Sequence, residues 1–209
     1  MRRIETALAG VGAVLGLTLA LYGLPELDDV LDAKSAEFEA TLSERTVHLD
    51  PAEVNTLLHD DLSKVMLIDV QDEASFNLFH LVDATRRTLA ELRDPEVLKT
   101  LDPKALKIIV ARGEAEAERA WKLVTAGGIR DAYVLSGGLG LWLAIYRDGE
   151  TDASEAEADG DRRFAAFETA QGALHPFARP EAEAAPERSF TSKAKRLTKV
   201  AKPSGGCGG

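Results

Sequence analysis

Few side chains in this sequence can do covalent chemistry. There is one cysteine among 209 residues, Cys207, set in Gly205-Gly206-Cys207-Gly208-Gly209. A lone thiol excludes an intramolecular disulfide, so cysteine usage does not reveal the redox compartment. A free thiol with a pKa of about 8.5 is little ionised at neutral pH, and Lys202, the nearest cation in sequence, is several flexible residues away. Three readings of Cys207 stand side by side: a sulfur or mixed-disulfide carrier on a swinging arm, a link to a second copy, and an incidental exposed thiol. His48, His59, His80 and His175 make no HxxxH pattern, so no metal site or cofactor motif is expected. The remaining candidate is the stretch Ala111-Arg112-Gly113-Glu114-Ala115-Glu116-Ala117, which leaves an apolar run and enters a helical pattern. Carboxylates at a helix start favour the helix by about 0.3–1 kcal/mol. The same charges repel an anionic ligand.

Elements that would position this stretch follow from periodicity. Val65–Val70, Leu106–Ala111 and Ala132–Leu135 are short apolar runs that predict buried strands. Asp50-Pro51-Ala52-Glu53 predicts a helix start, with Asp50 capping, Pro51 in the first turn and Glu53 reaching back. Short helices are expected over Glu73–Phe79 and Leu89–Leu101, the latter interrupted by Pro95. Glu114–Ala126 predicts a longer one, with Ala117, Ala120, Trp121 and Val124 on one face and Gly127-Gly128 ending it. Ser136–Gly140 reads as a glycine-rich turn, with a further helix begun by Leu141–Tyr146. Alternation of strands and helices implies an α/β fold, a small parallel sheet flanked by helices on both faces. Ligands in such sheets bind beyond the carboxyl ends of the strands, which points to the loop after Leu106–Ala111.

Three segments, in order, resemble the rhodanese family. Leu67-Ile68-Asp69-Val70-Gln71-Asp72, then Phe76, then His80-Leu81-Val82-Asp83-Ala84 is similar to the family's strand ending in Asp-Val-Arg, followed by Phe and His-Ile-x-Gly-Ala. Ile108-Ile109-Val110 matches the strand before the family's catalytic loop. Tyr133-Val134-Leu135-Ser136-Gly137-Gly138-Leu139, with Trp142, is similar to its Val-x-x-Leu-x-Gly-Gly-x-x-x-Trp ending. The resemblance spans about Thr46 to Arg147. It implies sulfur transfer through a cysteine persulfide, cradled by loop N–H groups at a helix N-terminus. It also places Ala111 at the nucleophile position. A methyl group cannot accept sulfur, so the resemblance implies a degenerate member with no catalytic residue in this loop. Arg112, Gly113, Glu114 and Glu116 are then expected to form a ligand or partner loop. Gln71 stands where the family usually has arginine, and Asp83 where it has glycine. Asp69, His80 and Trp142 are expected to serve the fold. Phosphatase chemistry on the related fold needs the same missing cysteine.

Outside this region the chain reads differently. Thr6 to Leu24 carries no charged residue and is long enough to cross a bilayer core of roughly 30 Å. Arg2 and Arg3 before it and Glu26, Asp28 and Asp29 after it predict a cytoplasmic N-terminus (residues 1–5) and an extracytoplasmic domain. A cleaved signal peptide is the competing reading, though Leu21-Tyr22-Gly23 is a poor cleavage site. Gly12 and Gly16 form a GxxxG that would let two such helices approach as a homodimer, although glycine is common in membrane helices anyway. Residues 25–45 predict an amphipathic stalk and 46–148 the domain. Residues 149–209 predict an acidic then basic tail, with six Lys or Arg and no acid from Arg188 onward. A net charge of −10 argues against nucleic acid as a partner. Two functions remain: a membrane-anchored, non-catalytic module for an unidentified protein or ligand, or a sulfur or thiol carrier using Cys207.

Overall fold

The computed structural model describes residues 25–147, 176–182 and 188–195. Five strands, β1 (His48–Leu49), β2 (Val65–Asp69), β3 (Thr85–Arg86), β4 (Leu106–Val110) and β5 (Ala132–Leu135), form one sheet in the order β1-β5-β4-β2-β3. Every pairing is parallel, with Leu67 opposite Ile108 and Ile109 opposite Val134 at the centre. Before β1 come α1 (Leu27–Ala33) and α2 (Ser35–Ser43); between the strands run α3 (Pro51–Leu58), α4 (Glu73–Leu78), α5 (Pro95–Lys99) and α6 (Glu114–Ala126); and α7 (Gly138–Tyr146) follows β5. The chain passes outward from β2 to β3, then returns to β4 and continues the other way to β5. That reversal places a crevice beyond the carboxyl ends of β2 and β4.

Period-two alternation divides the core between the two faces of the sheet. Leu106, Ile108 and Val110 of β4 face Leu57, Leu81 and Trp142. Ile109 and Ala111 face Ala117, Trp121 and Val124 of α6. α6 buries this stripe, ties Trp121 Nε1 to the Ala132 carbonyl at 2.9 Å, and ends at Gly128, whose φ is +84°. In α3 Asp50 caps as expected, accepting the Ala52 N–H at 2.9 Å. Glu53 does not reach back to the cap; its carboxylate is committed elsewhere.

Two boundaries differ from the sequence expectation. Residues 25–45 are two helices broken at Lys34, and they pack on the domain instead of leading away as a stalk. Phe38 and Leu42 are buried, and the Phe38 ring meets Trp121 edge-on at 5.5 Å. Two stretches of the region read as tail also lie against the domain. Phe177 O accepts from Trp142 Nε1 at 2.7 Å, and Ala178 is buried with its carbonyl on the Val82 N–H. Residues 188–195 cross the start of α3. The predicted membrane span Thr6–Leu24, its Gly12 and Gly16, the acidic run after 149 and Cys207 lie outside the described residues. Among the described residues no helix is long and apolar enough to cross a membrane.

Candidate functional site

At the end of β4 the chain has three residues, Ala111, Arg112 and Gly113, before α6 begins at Glu114. Ala111 is fully buried, and Arg112, Gly113 and Glu116 are partly exposed. The turn after β5 presses against this loop from above. Leu139 N–H donates to the Ala111 carbonyl at 2.9 Å and Gly140 N–H to the Arg112 carbonyl at 3.1 Å. Gly138 makes the approach possible: its φ is +58°, and a Cβ there would stand 2.7 Å from Arg112 O and 2.8 Å from Ala111 O. The carbonyls of Ala111 and Arg112 are thus spent on the first turn of α7, and the Ala111 methyl group is sealed in the core.

Beside it, Glu114 turns inward rather than outward. Arg45 Nη1 and Nη2 donate to its two oxygens at 2.7 and 3.0 Å, and Gly137 N–H donates to Oε2 at 2.6 Å. Burial raises the Glu114 pKa, but the Arg45 and Gly137 hydrogen bonds outweigh it and hold the carboxyl below its ordinary range. Arg45 also donates to Ser136 Oγ at 2.6 Å and has a φ of +53°, a left-handed turn just past α2 that aims its guanidinium at the sheet. His48, buried on β1, meets Glu118 Oε1 through Nε2 at 2.9 Å and lies 3.6 Å from Glu114 Oε1. Donor atoms of His48, Glu114 and Glu118 fall within 4.8 Å of one another, close enough to share a divalent cation. Arg45 already neutralises Glu114 through both oxygens, however, and His48 Nδ1 has no hydrogen-bond partner to orient the ring for a metal. The cluster is a charge-paired network.

Across the crevice, Asp69 ends β2 fully buried. Gln71 N–H and Nε2 each donate to it at 3.0 Å, and Nε2 also reaches the Phe79 carbonyl at 3.1 Å. Burial pushes the Asp69 pKa up to about 7, against the two Gln71 hydrogen bonds; Glu116 adds to the rise and Arg86 opposes it. His80 Nδ1–H donates to the Phe76 carbonyl at 2.8 Å, and the imidazole stacks on the Phe76 ring at 3.9 Å. Asp83 keeps the left-handed conformation, φ +65°, that glycine would hold there. Of the four loop residues predicted to meet a ligand, Glu114 is therefore engaged internally. Arg112 lies near enough to Asp72 to help lower its pKa, after the dominant Ser75 hydrogen bonds. The sequence gives no signal for Arg45, and for Glu118 only its spacing from Glu114; it shows His48 only as a scattered histidine and Ser136 only as part of a glycine-rich turn. The four-residue spacing of Glu114 and Glu118 was a signal of one shared face, but their partners are distant in the chain.

Residues 50–145 match the rhodanese-like domain family. A five-stranded parallel sheet flanked by helices agrees with that match, and this part of the chain is a rhodanese-like domain. Similar solved structures include the rhodanese-like domain of an Anabaena sp protein, 20% identical over 47% of this chain and 74% of that one, with a TM-score of 0.43. A rhodanese-like domain protein from Staphylococcus aureus is 20% identical over 44% and 86%, with a TM-score of 0.40. A 30 kDa polysulfide-sulfur transferase homodimer from Wolinella succinogenes is 24% identical over 58% and 90%, with a TM-score of 0.39. No curated protein matches the sequence.

Proposed function

We propose that the chain is a catalytically inactive rhodanese-like domain, held at a membrane by Thr6–Leu24, that binds a protein or small ligand through the Arg112–Glu116 loop. One observation supports the loss of sulfur chemistry: buried Ala111 stands at the end of β4, with its own carbonyl and that of Arg112 taken by the first turn of α7. Persulfide transfer needs a polarisable nucleophile facing open N–H groups. The adjacent recess receives an internal carboxylate, Glu114, clamped by Arg45, so a thiosulfate-like anion would meet negative charge. Partial exposure of Arg112, Gly113 and Glu116 leaves a surface with both signs of charge for a partner. A thiosulfate-to-cyanide transfer assay on the detergent-solubilised full chain is expected to give no turnover. Turnover that survives Cys207→Ser, and so comes from the cysteine-free domain, would falsify this assignment. Recovery of partners from detergent extracts is expected to fall when Arg112 and Glu116 are both alanine; undiminished recovery would remove the loop from the binding surface.

A second function rests on Cys207, the one thiol, carried between glycine pairs. Related domains can be sulfurtransferases, and a carrier thiol on an arm could take the place of a loop cysteine. Turnover that is present in the native chain and abolished by Cys207→Ser would favour this function over the first.

A further inference from the structure

The strongest unassigned feature is the contact between residues 188–195 and the face formed by the start of α3 and the edge of the sheet. Arg188 Nε donates to both oxygens of Asp50, at 2.9 and 3.1 Å. Ser192 Oγ, Lys193 N–H and Ala194 N–H all converge on Glu53 Oε1, at 3.0, 2.7 and 2.9 Å. Lys193 Nζ donates to the carbonyls of Arg45 and His48 at 2.8 and 3.0 Å, and Lys195 N–H to the Tyr133 hydroxyl at 3.1 Å. In every one of these bonds the segment donates and the domain accepts. A face that presents acceptors to the segment, two of them carboxylates, favours a cationic, donor-rich peptide that bends so that successive N–H groups meet one carboxylate oxygen.

Two details separate this from ordinary tail packing. Glu53 is 2% exposed, and a carboxylate so buried needs donors from its surroundings; the segment supplies three. Its other oxygen, Oε2, is buried with no hydrogen-bond partner, so the face has an acceptor that residues 188–195 leave unused. Phe190, the one large apolar side chain of the segment, is 37% exposed, so polar pairing holds the strand in place.

The geometry points to Asp50, Glu53, Tyr133 and the Arg45 and His48 carbonyls as a recognition surface for a basic peptide bent around a carboxylate, with the chain's own Arg188–Lys195 as its resident, exchangeable occupant. It is a separate surface from the Arg112–Glu116 loop and does not rest on the function proposed for that loop. Because Lys193 grips the backbone of Arg45 and His48, occupancy of this face also bears on the residues that clamp Glu114.

The test uses the full chain and a labelled peptide with the sequence of residues 188–195, followed by fluorescence anisotropy. The double variant Arg188→Ala/Lys193→Ala, which empties the face, is expected to bind the peptide about tenfold more tightly than the native chain, where the tethered copy competes. Adding Glu53→Gln to that variant should weaken binding by about tenfold, and so should Asp50→Asn, which keeps a helix-capping side chain if Glu53→Gln does not fold. Added salt should weaken it further. Equal affinity in the native and emptied chains, or affinity indifferent to Asp50→Asn, would overturn the assignment. So would a native dimer that added peptide dissolves, since a neighbour's segment would then fill the face.

Discussion

Asp69 closes β2 and Glu114 follows β4, so two carboxylates stand at the carboxyl ends of neighbouring strands, on either side of the crevice where the sheet reverses direction. Both are drawn out of water, and they respond in opposite ways. Glu114 has a guanidinium on both oxygens and is held below its ordinary pKa. Asp69 has only the amide and backbone N–H of Gln71 and rises to about 7. Hydrogen bonds from neutral donors soften the cost of burying a charge; a matched cation cancels it. The residue at 71 therefore decides the character of the β2 side, and arginine, the residue the family usually has there, would make the two sides alike.

The largest expected effect tests that statement. A carboxyl raised from 3.8 to about 7 binds its proton more tightly in the folded state, so it subtracts stability as the pH climbs between those values. The loss approaches about 1.4 kcal/mol per pH unit, up to roughly 4 kcal/mol by pH 8. Gln71→Arg should return the Asp69 titration to the acid range and flatten that slope. Urea midpoints across the pH range, with carboxyl carbon NMR of Asp69, measure both. A native protein whose Asp69 titrates near 4 would show that burial here is compensated by something other than Gln71.

A second effect is confined to the β4 side. Gly138→Ala puts a Cβ within 2.8 Å of two loop carbonyls and forces a side chain into positive φ. It should cost roughly 2–3 kcal/mol in urea unfolding and leave the Asp69 titration where it was. A small cost would mean that the two loops separate easily, and a separated loop could again admit a ligand beside Ala111.

Much of this scaffold was legible in advance, for reasons that individual elements make clear. Glu114–Ala126 has an apolar stripe at helical spacing and a Gly-Gly stop, and Ala132–Leu135 is apolar throughout because both faces of β5 are covered. β1 and β3 have two residues each and carry no periodic signal. Phe38 and Leu42 announced a buried face on α2, but periodicity does not say what a face packs against, so a helix docked on Trp121 read as a stalk. The candidate site divides in the same way. The place of Ala111 at the end of β4 could be read because strand and loop are contiguous. Glu114 was read as a favourable helix-start charge; its clamp comes from Arg45, 69 positions earlier, and no local pattern encodes that pairing. Likewise the basic character of residues 188–195 was visible, while the acceptor-lined face they cover draws on Asp50, Glu53 and Tyr133 from separate elements.

The smallest expected effect comes from removing the clamp itself. Arg45 is 42% exposed and Glu114 21%, so solvent already screens much of their attraction. Arg45→Ala should cost about 1–2 kcal/mol at neutral pH, most of it from leaving a half-buried carboxylate with Gly137 N–H as its main remaining donor. Arg45→Lys should recover only part, since an ammonium cannot reproduce the two-pronged contact or keep the bond to Ser136. The pH dependence opposes that of Asp69. A carboxyl whose folded pKa is depressed below 4.5 adds stability above that value and loses it as acid protonates the folded form. The difference between native and Arg45→Ala midpoints should therefore shrink as the pH falls through the Glu114 titration, while Gln71→Arg acts at the neutral end. A difference that stays constant through the acid range would mean that Arg45 contributes by packing its stem and not by its charge, and the contrast between the two strand ends would reduce to burial alone.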